Sequence, residues 1–187
     1  STNSEDLEGF SGAGLYNSYT HKPDEGVLAN TIKQVWAGVW NYRAYQERSF
    51  YRIDHLKAAA GVLVHKNFDG EKANGVAVTR NIYNFRYDGF YVNVQKGEKL
   101  VTNPDDKTIP EEFTISATGS RGEYETEYIR CSNLVPVGQK VLDIQKVETL
   151  IDYMEVIQDH FKKKYKSYDD DFAMEIDFKV DENNCLV

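Results

Sequence analysis

Apolar residues recur along the chain at two spacings, and the change from one to the other divides it into elements. Across residues 24–52, Leu28, Ile32, Val35, Trp36 and Val39 stand three and four apart, the spacing of an amphipathic helix. A second helical stretch over 42–53 meets no proline or glycine. The runs 61–66, 75–79 and 89–95 are shorter and rich in β-formers; in the last, Phe90, Val92 and Val94 alternate with Tyr91, Asn93 and Gln95, the period of a strand. Asn103-Pro104-Asp105-Asp106 reads as a turn, and 112–117 and 124–130 as two further strands of poorer alternation around Gly119 and Gly122. The best-defined helix is 141–165, with Leu142, Val147, Leu150, Ile151, Met154, Ile157 and Phe161 on one stripe and Lys162, Lys163 and Lys164 where they favour the helix dipole. Over 173–180, Met174, Ile176 and Phe178 alternate with Glu175, Asp177 and Lys179, and 183–187 reads as a turn and the opening of another strand.

Strands, a long helix, then strands again predict an α+β domain with a mixed, largely antiparallel sheet and packed helices. The 187 residues suit one ordinary core rather than several catalytic modules. The unfinished strand at the end and the abrupt polar start at Ser1 read as a piece of a longer protein. Thirty acidic against 22 basic side chains, a net charge of -8, repel phosphate backbones and disfavour non-specific nucleic-acid binding. No apolar run approaches the roughly 18 to 20 residues that span a bilayer, and a soluble, cytoplasmic protein is expected. Cys131 and Cys185 are too few for a four-ligand zinc site and predict two reduced, buried thiols.

Glu175 and Asp177, at i and i+2 on a strand, project from one face roughly 6 to 7 Å apart, close enough to share a divalent cation that bridges phosphates. The same alternation also arises on any half-exposed strand, and pattern alone leaves both readings open. Asp169-Asp170-Asp171 and the lysine triplet read as solvated charge. His21, His55, His65 and His160 are dispersed, and no Ser, His and Asp set assembles. The opening Gly9-Phe10-Ser11-Gly12-Ala13-Gly14 lacks the lysine and the spacing of a phosphate-binding loop.

Taken together, several segments resemble the nucleotide-binding (PEP/pyruvate-binding) domain of phosphoenolpyruvate synthase and pyruvate phosphate dikinase, an ATP-grasp domain. Ser1, with Glu5-Asp6-Leu7, is similar to the end of that family's Arg-Ser-Ser-x-x-x-Glu-Asp-Leu motif. Val35-Trp36-Ala37, Arg43-Ala44 and Tyr51-Arg52 resemble its helical segment, and Gly61-Val62-Leu63-Val64-His65-Lys66 its adenine-bracketing strand and hinge. Gly75-Val76-Ala77-Val78-Thr79-Arg80-Asn81 resembles Gly-Val-Ala-Phe-Thr-Arg-Asn, Asn93-Val94-Gln95-Lys96-Gly97-Glu98 resembles Asn-Ala-Gln-Gly-Glu-Asp, and Ala173-Met174-Glu175-Ile176-Asp177-Phe178 resembles Pro-Met-Asp-Ile-Glu-Trp. The matches keep their order over nearly the whole chain.

The resemblance implies ATP cleaved at the β-phosphate, with AMP released and a pyrophosphoryl or phosphoryl group passed to a histidine on another domain and then to pyruvate on a third. It implies ATP and Mg²⁺ as cofactors. Backbone at Val64, His65 and Lys66 would take adenine, Glu98 the ribose or nearby polar groups, and Glu175 and Asp177 the Mg²⁺, with Arg43, Arg52 and Arg80 facing phosphates. The family's phosphate-contacting arginine falls before Ser1 and its closing Gln-x-Arg a few residues after Val187. Gly89, beside Asp88, stands where the dikinase has a glutamate, and Lys99 where the family has an aspartate. The chain by itself is therefore expected to transfer no phosphoryl group. A glucan- or water-dikinase domain, whose Gly-Ala-Gly-Leu-Tyr stretch resembles Gly12-Ala13-Gly14-Leu15-Tyr16, and a non-catalytic nucleotide-binding module are the alternatives.

Overall fold

The computed structural model describes all residues except 1–5, 8–9, 12–15, 66, 68–69, 85, 100, 102–106, 119–122, 168 and 170. Two compact units divide the chain at Asn67 and Phe68. Residues 103–106, the glycines of the opening stretch, Gly119 and Gly122, and Lys66 of the expected adenine hinge lie outside the described residues.

In the first unit, β1 (Asp6–Leu7) pairs antiparallel with β2 (Phe10–Ser11). The two expected helices form as α1 (Leu28–Gly38) and α2 (Tyr42–Phe50). Asn41 separates them, its side chain accepting from Ala44 N at 2.9 Å and so satisfying a donor that the helix start leaves open. The α1 stripe buries less than its spacing predicts, since Leu28 and Trp36 remain exposed. The buried anchor is a charge: Arg48 is fully enclosed and donates to Val39 O at 2.6 Å, His55 Nδ1 at 3.3 Å and the Tyr16 hydroxyl at 3.4 Å. The strand expected over 61–66 does not form across 61–65. Leu63 and Val64 are exposed, and β-branched composition makes a strand only where a neighbour pairs with it and a face is buried.

The second unit holds a five-stranded sheet in the order β6–β5–β4–β3–β7, every pair antiparallel: β3 (Ala73–Val78), β4 (Gly89–Lys96), β5 (Glu111–Ala117), β6 (Tyr124–Arg130) and β7 (Glu175–Val180). These are the expected strands, shifted by a residue or two at their ends. Helix α3 (Ile144–Tyr165) covers one face, its Val147, Leu150, Ile151 and Met154 sharing a core with Ala77, Val92, Val94, Phe113, Ile115, Phe178 and Val180. Asp143 caps α3 by accepting from Lys146 N at 2.9 Å, and that lysine, bonded also through its ammonium, holds the Asp143 carboxyl below the usual range. Lysines occupy the last turn as expected, and Lys166 closes the helix in the left-handed conformation.

Two glycines fix the sheet. A Cβ on Gly75 would lie 2.4 Å from the Phe178 ring that packs over it, and one on Gly89, at φ +153, would lie 1.9 Å from Ile115 O. Backbone geometry therefore leaves no room for a side chain at Gly89. The thiols depart from expectation: both cysteines are exposed, Cys131 just past edge strand β6 and Cys185 in the turn after β7, because loop positions offer no core to enter.

Glu111 is the buried acid of this core. Its Oε1 accepts from Val141 N at 3.0 Å, anchoring the approach to α3, while Oε2 has no partner among the described residues. Burial raises its carboxyl above the ordinary carboxylate range, opposed by the Val141 backbone bond and by Lys140. The folded state thus keeps this proton to higher pH than the unfolded chain, and the stability it contributes is full below the unfolded carboxyl range and lost as pH rises through the folded one. Glu111→Gln keeps the Val141 bond and removes the titration. In urea unfolding from pH 4 to 7, the stability of the wild type relative to this variant is expected to fall with rising pH; a pH-independent difference would disprove the assignment.

Candidate functional site

With α3 on one face, the pleat turns alternate residues of every strand to the other. Register carries two rows across this open face. One runs Asp177, Val76, Asn93, Glu112 and Arg130; the other runs Glu175, Val78, Tyr91, Thr114 and Glu127. Glu175 and Asp177 thus share a face as their spacing predicts, because Ile176, Phe178 and Val180 turn toward the helix. Both acids are exposed, and among the described residues no third histidine, cysteine or acid gathers with them into a metal-binding group.

Further along the first row lies a network that the sequence did not disclose. Glu112 is buried, and both its oxygens are used: the Tyr91 hydroxyl donates to Oε1 at 2.5 Å, and Arg130 donates to Oε2 from Nε at 2.6 Å and from its terminal nitrogen at 2.5 Å. Burial, then the bond to Glu112, raises the Tyr91 hydroxyl well above the usual phenol range, so the proton stays on Tyr91. A bulge makes the network. Tyr128 pairs with Phe113 on the helix side, yet Arg130, two residues on, pairs with Glu112 on the open side, so Ile129 is the extra residue that re-aims the arginine. The uneven alternation of 124–130 was the only sequence sign of it.

The remaining expected residues fall elsewhere. Glu98 sits in the turn after β4, accepting from Gly70 N at 3.3 Å, and that turn begins four residues along the strand from the row of Asp177, roughly 13 Å away. Arg80 follows β3 at the opposite end, ion-paired with Asp171. It lines a polar cleft of about 870 Å³ with Tyr87, Asp88, Tyr124, Gln158 and Lys162. The loop that carries it is tied down: Thr79 exchanges bonds with Met174, Gln158 donates to Thr79 O at 2.8 Å, and buried Asn81 accepts from Tyr83 N and Asn84 N. Arg43, Arg52, Val64 and His65 belong to the first unit and are exposed there, Arg52 with φ +56.

The 68–187 unit is thus an α+β domain whose sheet has one face packed under a helix and the other furnished with carboxylates. The chain matches the family of the pyruvate phosphate dikinase AMP/ATP-binding domain over residues 1–187 and belongs to it. It is similar to a phosphoenolpyruvate synthase of Aeropyrum pernix, 26% identical over 181 residues, which are 96% of this chain and 18% of that protein. The chain spans less than a fifth of the curated relative's length. Among the described residues no helix is long and apolar enough to cross a membrane.

The Glu112 network sets a stability test for the open face. Arg130→Met leaves a buried carboxylate with one donor, and a loss of about 1 to 3 kcal/mol is expected in urea unfolding. Adding Glu112→Gln to that variant should recover part of the loss, and a neutral Arg130→Met would show that the ion pair contributes nothing.

Proposed function

We propose that the open face of the 68–187 unit carries the phosphate chain of Mg-ATP, with Glu175 and Asp177 as the protein ligands of Mg²⁺. The observation that supports this most is the exposed carboxylate pair at i and i+2 on β7, in a chain that belongs throughout its length to an AMP/ATP-binding family. The donor set fits the ion: Mg²⁺ is ordinarily held by one or two carboxylates and completes its octahedron with phosphate oxygens and water. When bound, the cation would neutralise charge developing on the transferred group. The residues of the chain itself bind and orient. The sheet fixes the spacing of the two acids, and the tied-down loop after β3 holds Arg80 at one end. Glu98 at the other end is the further contact of this reading within the unit, for the ribose or nearby polar groups.

Leu186 bridges to Val180, and Lys179 and Val187 exchange hydrogen bonds, so β7 has an antiparallel neighbour on its outer edge.

The protein that carries this domain would, on this reading, split ATP to AMP and hand the phosphoryl group to a histidine of another domain and then to pyruvate, in the cytoplasm. Incubation of the full-length protein with Mg-ATP and pyruvate, followed by phosphorus NMR, should yield phosphoenolpyruvate with AMP and phosphate. AMP and phosphate without phosphoenolpyruvate would replace pyruvate with another acceptor, glucan or water among them, and untouched ATP would leave a non-catalytic nucleotide-binding module. Asp177→Asn should weaken Mg-ATP binding in titration calorimetry roughly tenfold or more, the effect of losing a charged ligand. Unchanged affinity would remove the metal role.

A further inference from the structure

The loop that leaves edge strand β6 and leads back to α3 begins at Cys131 and ends at Lys140, and the side chains of these two residues meet. Lys140 donates to Cys131 Sγ at 3.4 Å, and its ammonium lies over the Tyr128 ring, 3.2 Å from the centroid. Both ends of the loop are fixed to the core. Cys131 directly follows β6, whose Tyr128 packs against buried Phe113. Val141, the residue after Lys140, donates to buried Glu111 Oε1 at 3.0 Å. The sheet therefore sets the approach of the two side chains, and both remain exposed to solvent.

A thiol sulfur and an amine nitrogen do not react with each other until one is oxidised. Sulfur is the one that oxidants take: an accessible cysteine gives a sulfenic acid, which condenses with a thiol or a nitrogen held close to it. We propose that Cys131 and Lys140 are an oxidant-sensitive pair, joined by a sulfur–nitrogen bond when hydrogen peroxide reaches the thiol. The Cys131 thiolate attacks one peroxide oxygen, the O–O bond breaks, and the departing hydroxide takes a proton to leave as water. Lys140 Nζ, having released its ammonium proton to solvent, attacks the sulfur of the S–OH group. The S–O bond breaks, and a second water leaves with the hydroxyl and one proton from nitrogen. Sulfur is oxidised by two electrons, peroxide is reduced to two waters, and the product is a sulfenamide that an added thiol reduces back to Cys131 and Lys140. The bond staples the end of β6 to the approach to α3 from outside, where Glu111 ties β5 to that approach from within. Cys185 has a different neighbour: its Sγ faces the Asn183 carbonyl oxygen at 4.0 Å, an acceptor that cannot attack an oxidised sulfur in this way.

The test is made on the full-length protein, reduced, treated with hydrogen peroxide, alkylated at its remaining thiols and digested with trypsin for mass spectrometry. Trypsin cuts after Arg130, Lys140 and Lys146, and a lysine bonded to sulfur is no longer a cutting site. The expected product is a peptide of residues 131–146, uncut at Lys140 and about 2 Da lighter than its reduced sequence, the two hydrogens lost in forming the bond. Dithiothreitol added before digestion should restore both the mass and the cut. Lys140→Arg keeps a cation beside the sulfur but replaces the amine with a guanidinium that stays protonated. Cys131 in that variant should stop at the sulfenic acid and be captured by dimedone, while wild-type Cys131 escapes capture. Cutting at Lys140 that peroxide does not alter overturns the proposal, and so does equal capture of Cys131 in wild type and Lys140→Arg. Cys131 found joined to Cys185 or to another cysteine overturns it as well, since the sulfenic acid would then have met a thiol before the amine.

Discussion

The ring of Phe178 over Gly75 holds β7 in its register on the sheet. These residues are register partners on β7 and β3, and the ring occupies the space that a Cβ on Gly75 would need. An aromatic over a glycine in this way restores the packing that a bare backbone position would lack. It commits the apolar residues of β7 to the core under α3, and the period of two then leaves Glu175 and Asp177 no other direction than outward. A slip of one residue in this pairing would bury two carboxylates and expose Phe178. The packing of one ring thus determines where the acids stand.

The same alternation gives two adjacent glutamates different environments. Glu111 enters the core and Glu112 the open face, and neither is well exposed. Glu112 is surrounded by a guanidinium and a phenol that satisfy it as an ion. Glu111 has a backbone N–H and an apolar surround, and burial favours its neutral form. Together they anchor the sheet on both sides: Glu111 ties β5 to the loop before α3, and Glu112 ties it to β4 and β6.

Much of this was legible because parity is legible. The alternation of Phe90, Val92 and Val94 with Tyr91, Asn93 and Gln95 gave β4 and its polar face, and the spacing of Val147, Leu150, Ile151 and Met154 gave the buried stripe of α3. The metal-candidate pair came from the same arithmetic on β7. What stayed hidden depends on pairing rather than on periodicity. The bulge at Ile129 reverses the parity of Arg130, so no count along β6 would have joined it to Glu112. The segment 61–66 has strand composition but, over 61–65, exposed apolar side chains instead of a buried face. The thiols were expected inside on residue preference, and their loop positions overrode it.

A carboxylate pair that no third metal-binding side chain joins, among the described residues, has a thermodynamic consequence on the proposed reading. Two carboxylates fill only part of an octahedral shell, so such a face would hold Mg²⁺ weakly alone, and the phosphate chain, itself anionic, would be repelled by a domain of net charge -8 unless a cation came with it. Cation and nucleotide would then each supply what the other's binding lacks: oxygens to complete the shell in one direction, positive charge against the acids in the other. By linkage, the factor by which Mg²⁺ tightens nucleotide binding must equal the factor by which nucleotide tightens Mg²⁺ binding. On the proposed reading, the sparse ligand set would therefore favour the complex of the two over either alone.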